Sequence, residues 1–482
     1  MNESVNDSMM NKIKAFFFVF VFSTALCAQN STADFIQNEY LAGASVSVLF
    51  FDLITGEELE STNKDLKLCP ASTWKMLTAA AASQVLEGES PFKTEIRIDG
   101  EIEDGTLMGN IIIKGYGDPT LGSAVFQKNQ MNVLDNWAEI IRNAGIKEIE
   151  GEILADKTWL EGMSLPRTRI WEDMANYYGT HISGLNFHDN SYSVAFNTKF
   201  DPGQKVKLLR FFPEVPNLNI TSEVTASTIR YDRAFIFGSP LSNERIVRGT
   251  LPIGYPSYEI KGSLPDPALF CAFHLDKKLK NIGIQSKGIG VLTKPIGKKT
   301  RLLKTTSSPD LNEIIQALLV ESNNLYAEAL TAKIGLSEGK GNLEAGVERI
   351  KEFYAKYCDS ESQIHAFDGS GLSRFNAMSA AQFQHLIFYC NKNETLKKLV
   401  LSNLPVFGKS GTVKRMGKDT PLEGNVAAKS GSMTGVLAYC GVFNAISGRQ
   451  VGFSILVNNF ESPAYKVRNS IEDLILETYM SY

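Results

Sequence analysis

Two helix-rich stretches of this chain are separated by a long run of short strands, from residue 92 to about 290, broken repeatedly by Gly, Pro and Asn. That division constrains the fold more than any other feature. Before it, Ala44-Ser-Val-Ser-Val-Leu-Phe-Phe-Asp52 alternates and then runs apolar, and Thr55-Gly56 turns the chain back toward Glu58-Leu59, which predicts a hairpin. Pro70-Ala71 then opens an apolar helix through Met76, Leu77, Ala79 to Ala82, Val85 and Leu86. After it, residues 310–320 read as an amphipathic helix and residues 324–334 follow at once as another. Residues 436–443 and 451–457 flank a Ser447-Gly448 turn as an antiparallel pair, and Ile471, Leu474, Ile475 and Tyr479 mark a closing amphipathic helix. A chain of 482 residues is expected to hold two or three domains. The simplest architecture is an α/β domain assembled from both ends of the chain, with a strand-rich insertion between them.

Inside the insertion, residues 109–115 and 206–212 read as strands. Trp137-Ala-Glu-Ile-Ile-Arg-Asn-Ala-Gly-Ile146 and Phe273-His-Leu-Asp-Lys-Lys-Leu-Lys-Asn-Ile-Gly-Ile284 look alike: each is a short helix ending at Gly and feeding an apolar strand. The pattern is either a loose repeat or the common way to join a helix to a strand, and the second is the simpler reading.

Composition excludes several classes. A net charge of −4, with no long single-sign run, does not fit a nucleic-acid binder. Lys12 and Lys14 precede an apolar run over residues 15–26, and Cys27-Ala28-Gln29 gives it a small-residue exit, so residues 1–28 read as a secretory signal peptide and the mature chain as a periplasmic protein. The run is short for a spanning helix, although an uncleaved anchor is the alternative. Leu26 sits where a lipidated Cys27 would want a small neighbour. Cys69, Cys271, Cys358, Cys390 and Cys440 are odd in number and widely spaced, which is neither a disulfide framework nor a metal pattern. No His pair has metal-binding spacing, and no metal or cofactor is expected. The closing helix lacks a basic amphipathic face, so no stable membrane anchor is expected there.

Ser-x-x-Lys occurs at Ser61/Lys64, Ser72/Lys75, Ser90/Lys93 and Ser337/Lys340. Ser61 and Ser337 lie in polar or Gly-flanked stretches that read as loops, and Ser90 reads as the entry to a strand. Only Ser72 starts an apolar helix, where a spacing of three puts Ser72 and Lys75 on one face. The helix start also offers backbone N–H groups and a positive dipole end to developing negative charge. A capping serine with a solvated lysine is the bland alternative. Two further signals favour chemistry. Ser322-Asn323-Asn324 lies between two helices, where a tight connection aims a hydroxyl and an amide into a cleft. Lys429-Ser430-Gly431 immediately precedes the paired strands, with lysine for charge and glycine for close backbone approach. Lys409-Ser410-Gly411 is a second copy, but the charged stretch after it does not suit a buried strand. Asp118 and Asp368, beside Gly or Pro, read as turn residues.

Ser-x-x-Lys, Ser-x-Asn and Lys-Ser/Thr-Gly in this order resemble the penicillin-recognising serine enzymes. The chain resembles most the D-alanyl-D-alanine carboxypeptidase/endopeptidase family of the penicillin-binding-protein-4 type, peptidase family S13. Gly115-Tyr-Gly-Asp-Pro-Thr-Leu121, Ser322-Asn-Asn-Leu-Tyr-Ala-Glu328 and Asp368-Gly-Ser-Gly-Leu-Ser-Arg374 carry the likeness further. The long gap between Lys75 and Ser322 fits the two extra domains of that family. Ser430 stands where threonine is commoner and Asn323 where aspartate is commoner.

The resemblance implies a multi-domain α/β fold: a β-lactamase/transpeptidase-like domain of antiparallel sheet plus helices over 29–92 and 291–482, an inserted domain over 93–194 and 263–290, and a second over 195–262. It implies a serine carboxypeptidase, with endopeptidase activity an open addition, acting on peptidoglycan stem peptides through a Ser72 acyl-enzyme and inhibited covalently by β-lactams. Lys75 is then the general base, directly or through Ser322 as relay; burial and the charge of Lys429 are expected to lower its pKa. The N–H groups of Ser72 and Ser432 form the oxyanion hole, Asn324 holds the substrate amide, Lys429 with Ser430 receives the terminal carboxylate, and Gly431 is a further substrate-binding residue. Arg374 contacts the peptide stem, or else makes a structural ion pair. A β-lactamase or esterase on the same catalytic fold, and a non-catalytic wall-binding protein, are the alternatives.

Overall fold

The computed structural model describes residues 31–86, 92–297, 299–361 and 363–482. The expected signal peptide and Ser90 lie outside the described residues.

Both ends of the chain supply one five-stranded antiparallel sheet, in the order Glu58–Thr62, Ser45–Asp52, Gln450–Asn458, Val436–Asn444, Val426–Met433. Its central strands are apolar almost without break because both faces are covered. Alternate side chains point to opposite faces. Val48, Phe50, Phe453 and Ile455 pack beneath the closing helix Ala464–Ser481 through Val467, Ile471 and Leu474. Leu49, Phe51, Ala438 and Leu456 pack instead against the helices Lys75–Val85, Asn324–Ile334 and Ala380–Lys392. The helix expected over 310–320 spans Leu311–Glu321, and Asp310 and Glu313 close a capping box at its start. Ser61, expected in a loop, lies on the edge strand Glu58–Thr62, where one-sided pairing tolerates a polar run.

The middle of the chain forms a second five-stranded sheet, ordered Ile289–Leu292, Ile153–Asp156, Ile111–Gly115, Lys93–Ile98, Arg301–Ser307. The first three strands run parallel and the last two pairings are antiparallel. Helices Asn132–Asn143 and Pro267–Asn281, the two look-alike segments, share one apolar core on this sheet. Asn132–Asn143 leads through the short strand Glu148–Ile149 to Ile153–Asp156, and Pro267–Asn281 leads to Ile289–Leu292; Ile153–Asp156 and Ile289–Leu292 are paired neighbours. Smaller sheets are built from residues 191–263. By strand pairing, residues 301–307 go with this second sheet, whereas a return to the first sheet's layer is expected at 291. The Arg301–Ser307 strand is polar and largely exposed, so no apolar stripe marks it in the sequence.

Candidate active site

Ser72 lies in a 3-10 turn, Ala71–Trp74, that runs directly into the helix Lys75–Val85. Ala71 before it has φ 46°, a left-handed conformation that a residue with a Cβ adopts only when its surroundings over-determine it. Two glycines show what does so. A Cβ on Gly371 would stand 2.0 Å from the Ala71 carbonyl oxygen, and one on Gly431 would stand 2.6 Å from the Pro70 oxygen and 2.8 Å from the Ser72 nitrogen. The glycine that ends the Lys429-Ser430-Gly431 signal therefore lets the sheet press against the Ser72 corner.

Lys75 follows one turn later and is fully buried. Its Nζ lies 2.8 Å from Ser72 Oγ, 2.6 Å from Asn324 Oδ1 and 2.6 Å from the Ser370 carbonyl oxygen. Asn324 starts the helix Asn324–Ile334, capped by Asn323, whose side chain accepts from the Tyr326 N–H. The asparagine at 323 thus performs the capping that an aspartate would. Ser322 joins the two helices at φ 56°, and its Oγ accepts from Lys429 Nζ at 2.9 Å. Lys429, also fully buried, donates to the Ser430 carbonyl as well.

Burial lowers the Lys75 ammonium to about 7; the carboxylates of Asp368 and Glu328 oppose this shift, and Arg169 adds to it. The repulsion between the two lysines bears on Lys429 instead, which burial and then Lys75 hold well below the ordinary lysine range. The cation that assists burial at Lys75 is Arg169, where Lys429 was expected.

A cavity of about 750 Å³ opens over Ser72, Ser322, Ser430 and Ser432, with Lys414, Arg415 and Arg468 in its walls. Across Ser432 a second chamber of about 330 Å³ is lined by Tyr178, Asp173, Glu172 and Arg374. Arg374 is exposed, donates to the Thr434 carbonyl at 3.2 Å, and makes no ion pair among the described residues. Both ends of the Asn324 amide are engaged by protein: Oδ1 accepts from Lys75, and Nδ2 donates to the Tyr178 carbonyl at 2.7 Å. Asn324 thus holds Lys75, with one Oδ1 lone pair and one Nδ2 N–H beyond these two bonds.

The structure also brings in Arg169 and Glu328, which the sequence did not single out, beside the turn residue Asp368. Arg169 Nη2 lies 3.1 Å from Glu328 Oε1 and 3.6 Å from Asp368 Oδ2, all three buried behind Lys75. Glu328 was findable, four residues after Asn324 on one helical face. Arg169 carries no sequence signal. Asp368 is a turn residue that accepts from Gly371 and Ser373 N–H groups, both at 2.8 Å, and Asp118 similarly binds Thr120. Lys409 of the second Lys-Ser-Gly copy pairs with Glu423 away from Ser72, yet Thr412 beside it shares a 2.6 Å hydrogen bond with Ser430. Ser337, in its turn, is bridged to Lys340.

A family model described as D-Ala-D-Ala carboxypeptidase 3 (S13) family matches residues 28–478. The chain is 29% identical over 456 residues to a D-alanyl-D-alanine carboxypeptidase of Actinomadura sp. (strain R39), covering 89% of this chain and 80% of that one. It is 24% identical over 468 residues to D-alanyl-D-alanine carboxypeptidase DacB of Haemophilus influenzae, covering 94% of each. The crystal structure of penicillin binding protein 4 (dacB) from Haemophilus influenzae superposes with a TM-score of 0.78 at 23% identity, over 93% of this chain and 99% of that one, a likeness of fold.

Proposed function

The chain belongs to the D-Ala-D-Ala carboxypeptidase 3 (S13) family, and from that premise we propose that it cleaves the terminal D-Ala-D-Ala bond of peptidoglycan stem peptides through an acyl-enzyme on Ser72. One observation carries the mechanism: of the three oxygens around Lys75 Nζ, only Ser72 Oγ bears a proton. A neutral Lys75 therefore spends its two N–H groups on Asn324 Oδ1 and the Ser370 carbonyl, which leaves its lone pair facing the Ser72 hydroxyl. Burial provides that neutral form near physiological pH.

Ser72 Oγ attacks the penultimate carbonyl carbon as its proton passes to Lys75. The N–H groups of Ser72 and Ser432 receive the oxyanion. The C–N bond then breaks and the departing D-alanine nitrogen takes a proton from Ser322, which lines the cavity and is held by Lys429; the proton that Lys75 took from Ser72 replaces it, so Lys75 is neutral again for the water step. Water later cleaves the Ser72 ester. Ser430, with Lys429 behind it, receives the terminal carboxylate beside a wall in which Lys414, Arg415 and Arg468 outnumber Glu321 and Glu472, and Arg374 in the second chamber faces the stem side. β-Lactams mimic the same bond and acylate Ser72. The basic flank and apolar run before residue 28 support export, with the mature enzyme working in the periplasm on the wall.

Incubation with benzylpenicillin followed by mass measurement tests this reading. A stable adduct on Ser72, absent in Ser72→Ala, together with D-alanine release from a stem pentapeptide, is the expected result. No adduct and no D-alanine release would sink it, and fast drug turnover would point to a β-lactamase. Cleavage of a cross-linked dimer tests the added endopeptidase activity.

A further inference from the structure

Two buried carboxylates lie behind Lys75, and both are built into the loop that the lysine touches. Glu328 Oε2 accepts from the Gly369 N–H at 3.1 Å, and the Ser370 carbonyl accepts from Lys75 Nζ at 2.6 Å. Asp368 accepts from Asn376 Nδ2 at 2.7 Å and from the Gly371 and Ser373 N–H groups. Ionised carboxylates this close raise the lysine's pKa and favour its protonated form, against the burial that lowers it. The offsetting charge comes from outside the Ser72 layer. Arg169 stands on the connection between the strand Leu160–Glu161 and the short helix Trp171–Met174, and its side chain is 1% exposed. Thr168 beside it shares a 2.7 Å hydrogen bond with Ser373, so this connection is pinned to the loop at two points.

We propose that Arg169 is a positioning residue for the Lys75 base: it offsets the Glu328 and Asp368 charges and holds the 368–371 loop against the lysine. The inference rests on Lys75 being the base. A guanidinium suits the task because it does not lose its proton, so the offset is constant across the working pH range. The titratable groups facing Lys75 are Asp368 and Glu328, which raise its pKa, and Arg169, which lowers it; Glu328 is itself pushed up to about 7 by burial and the Asp368 charge, so the Glu328→Gln background removes its titration from the profile. Lys429 approaches from the sheet, and the Cys440 thiol that faces Lys429 is kept protonated by burial. Farther out, Glu328 and Asp368 also border a separate cavity of about 400 Å³, which carries Arg167, Glu344, Glu348 and Lys351.

The test is the pH profile of acylation by benzylpenicillin, whose acidic limb reports the base of the free enzyme. Arg169→Met moves that limb to higher pH by roughly one unit, the scale of a neighbouring charge. The same shift appears when Arg169→Met is added to Glu328→Gln, so the comparison survives if the single variant does not fold. Arg169→Lys keeps the charge and leaves the limb in place even if the melting temperature falls. Limbs that coincide with those of the parents in both backgrounds, with only folded yield or melting temperature lost, would overturn the proposal. Failure of the underlying reading looks different: Lys75→Ala would then acylate with an unchanged profile.

Discussion

At the scale of single residues, the site is a problem in proton bookkeeping around two buried lysines. Lys75 has its pKa lowered to about 7 by burial, with Asp368 and Glu328 opposing. A lowered pKa means the neutral, base-competent form dominates above that value and is lost below it. Acylation is therefore expected to fall about tenfold per pH unit on the acid side of the limb, and stopped-flow measurement with a chromogenic β-lactam reads it. Lys75→Ala should cut acylation by roughly 10²–10⁴-fold, the usual range for a positioned base. Lys429 is lowered too, by burial and then by Lys75; among the described residues its Nζ donates to Ser322 Oγ and the Ser430 carbonyl, so its role is to hold Ser322.

At the scale of elements, Ser72 is placed by three pieces meeting at a corner: the start of the Lys75–Val85 helix, the strand Val426–Met433 and the loop at residues 368–374. Glycines at the two contacts permit an approach that a methyl group would block. Gly431→Ala sets a Cβ 2.6 Å from the Pro70 oxygen and 2.8 Å from the Ser72 nitrogen, so strand and helix start must separate. The expected outcome is at least a tenfold loss of acylation rate with a destabilisation of about 1–3 kcal/mol, the range for overpacking. Denaturant melts set beside acylation rates check it; full activity with the same stability loss would show that the contact is structural only. The capping residues Asp310 and Asn323 work at the same scale, fixing where the two helices start and hence where Ser322 turns.

At the scale of the whole molecule, the first sheet closes only when the end of the chain pairs with its beginning, Ser45–Asp52 against Gln450–Asn458. The closing helix covers Val48, Phe50 and Ile455. A chain ended before Ala464 is expected to be recovered insoluble or readily proteolysed, since that face would be bared; soluble, protease-resistant protein would contradict it. The sequence by itself determined the local pieces and the chemistry-bearing signals: the hairpin after Asp52, the apolar helix behind Ser72, the turn at Ser322 and the glycine at 431. Each of these depends on residue spacing within one element, and spacing is written in the chain. Only the tertiary structure decided that Arg169 supplies the cation beside Glu328 and Asp368, that Asn324 is already engaged by Lys75 and Tyr178, and that Thr412 reaches Ser430. It also decided that Arg301–Ser307 completes the second sheet. Those contacts join residues far apart in the chain, and burial and charge act through space, so no local pattern records them. The strand-rich middle that first constrained the fold therefore does more than separate the two halves of the Ser72 layer: it places Arg169 within that layer.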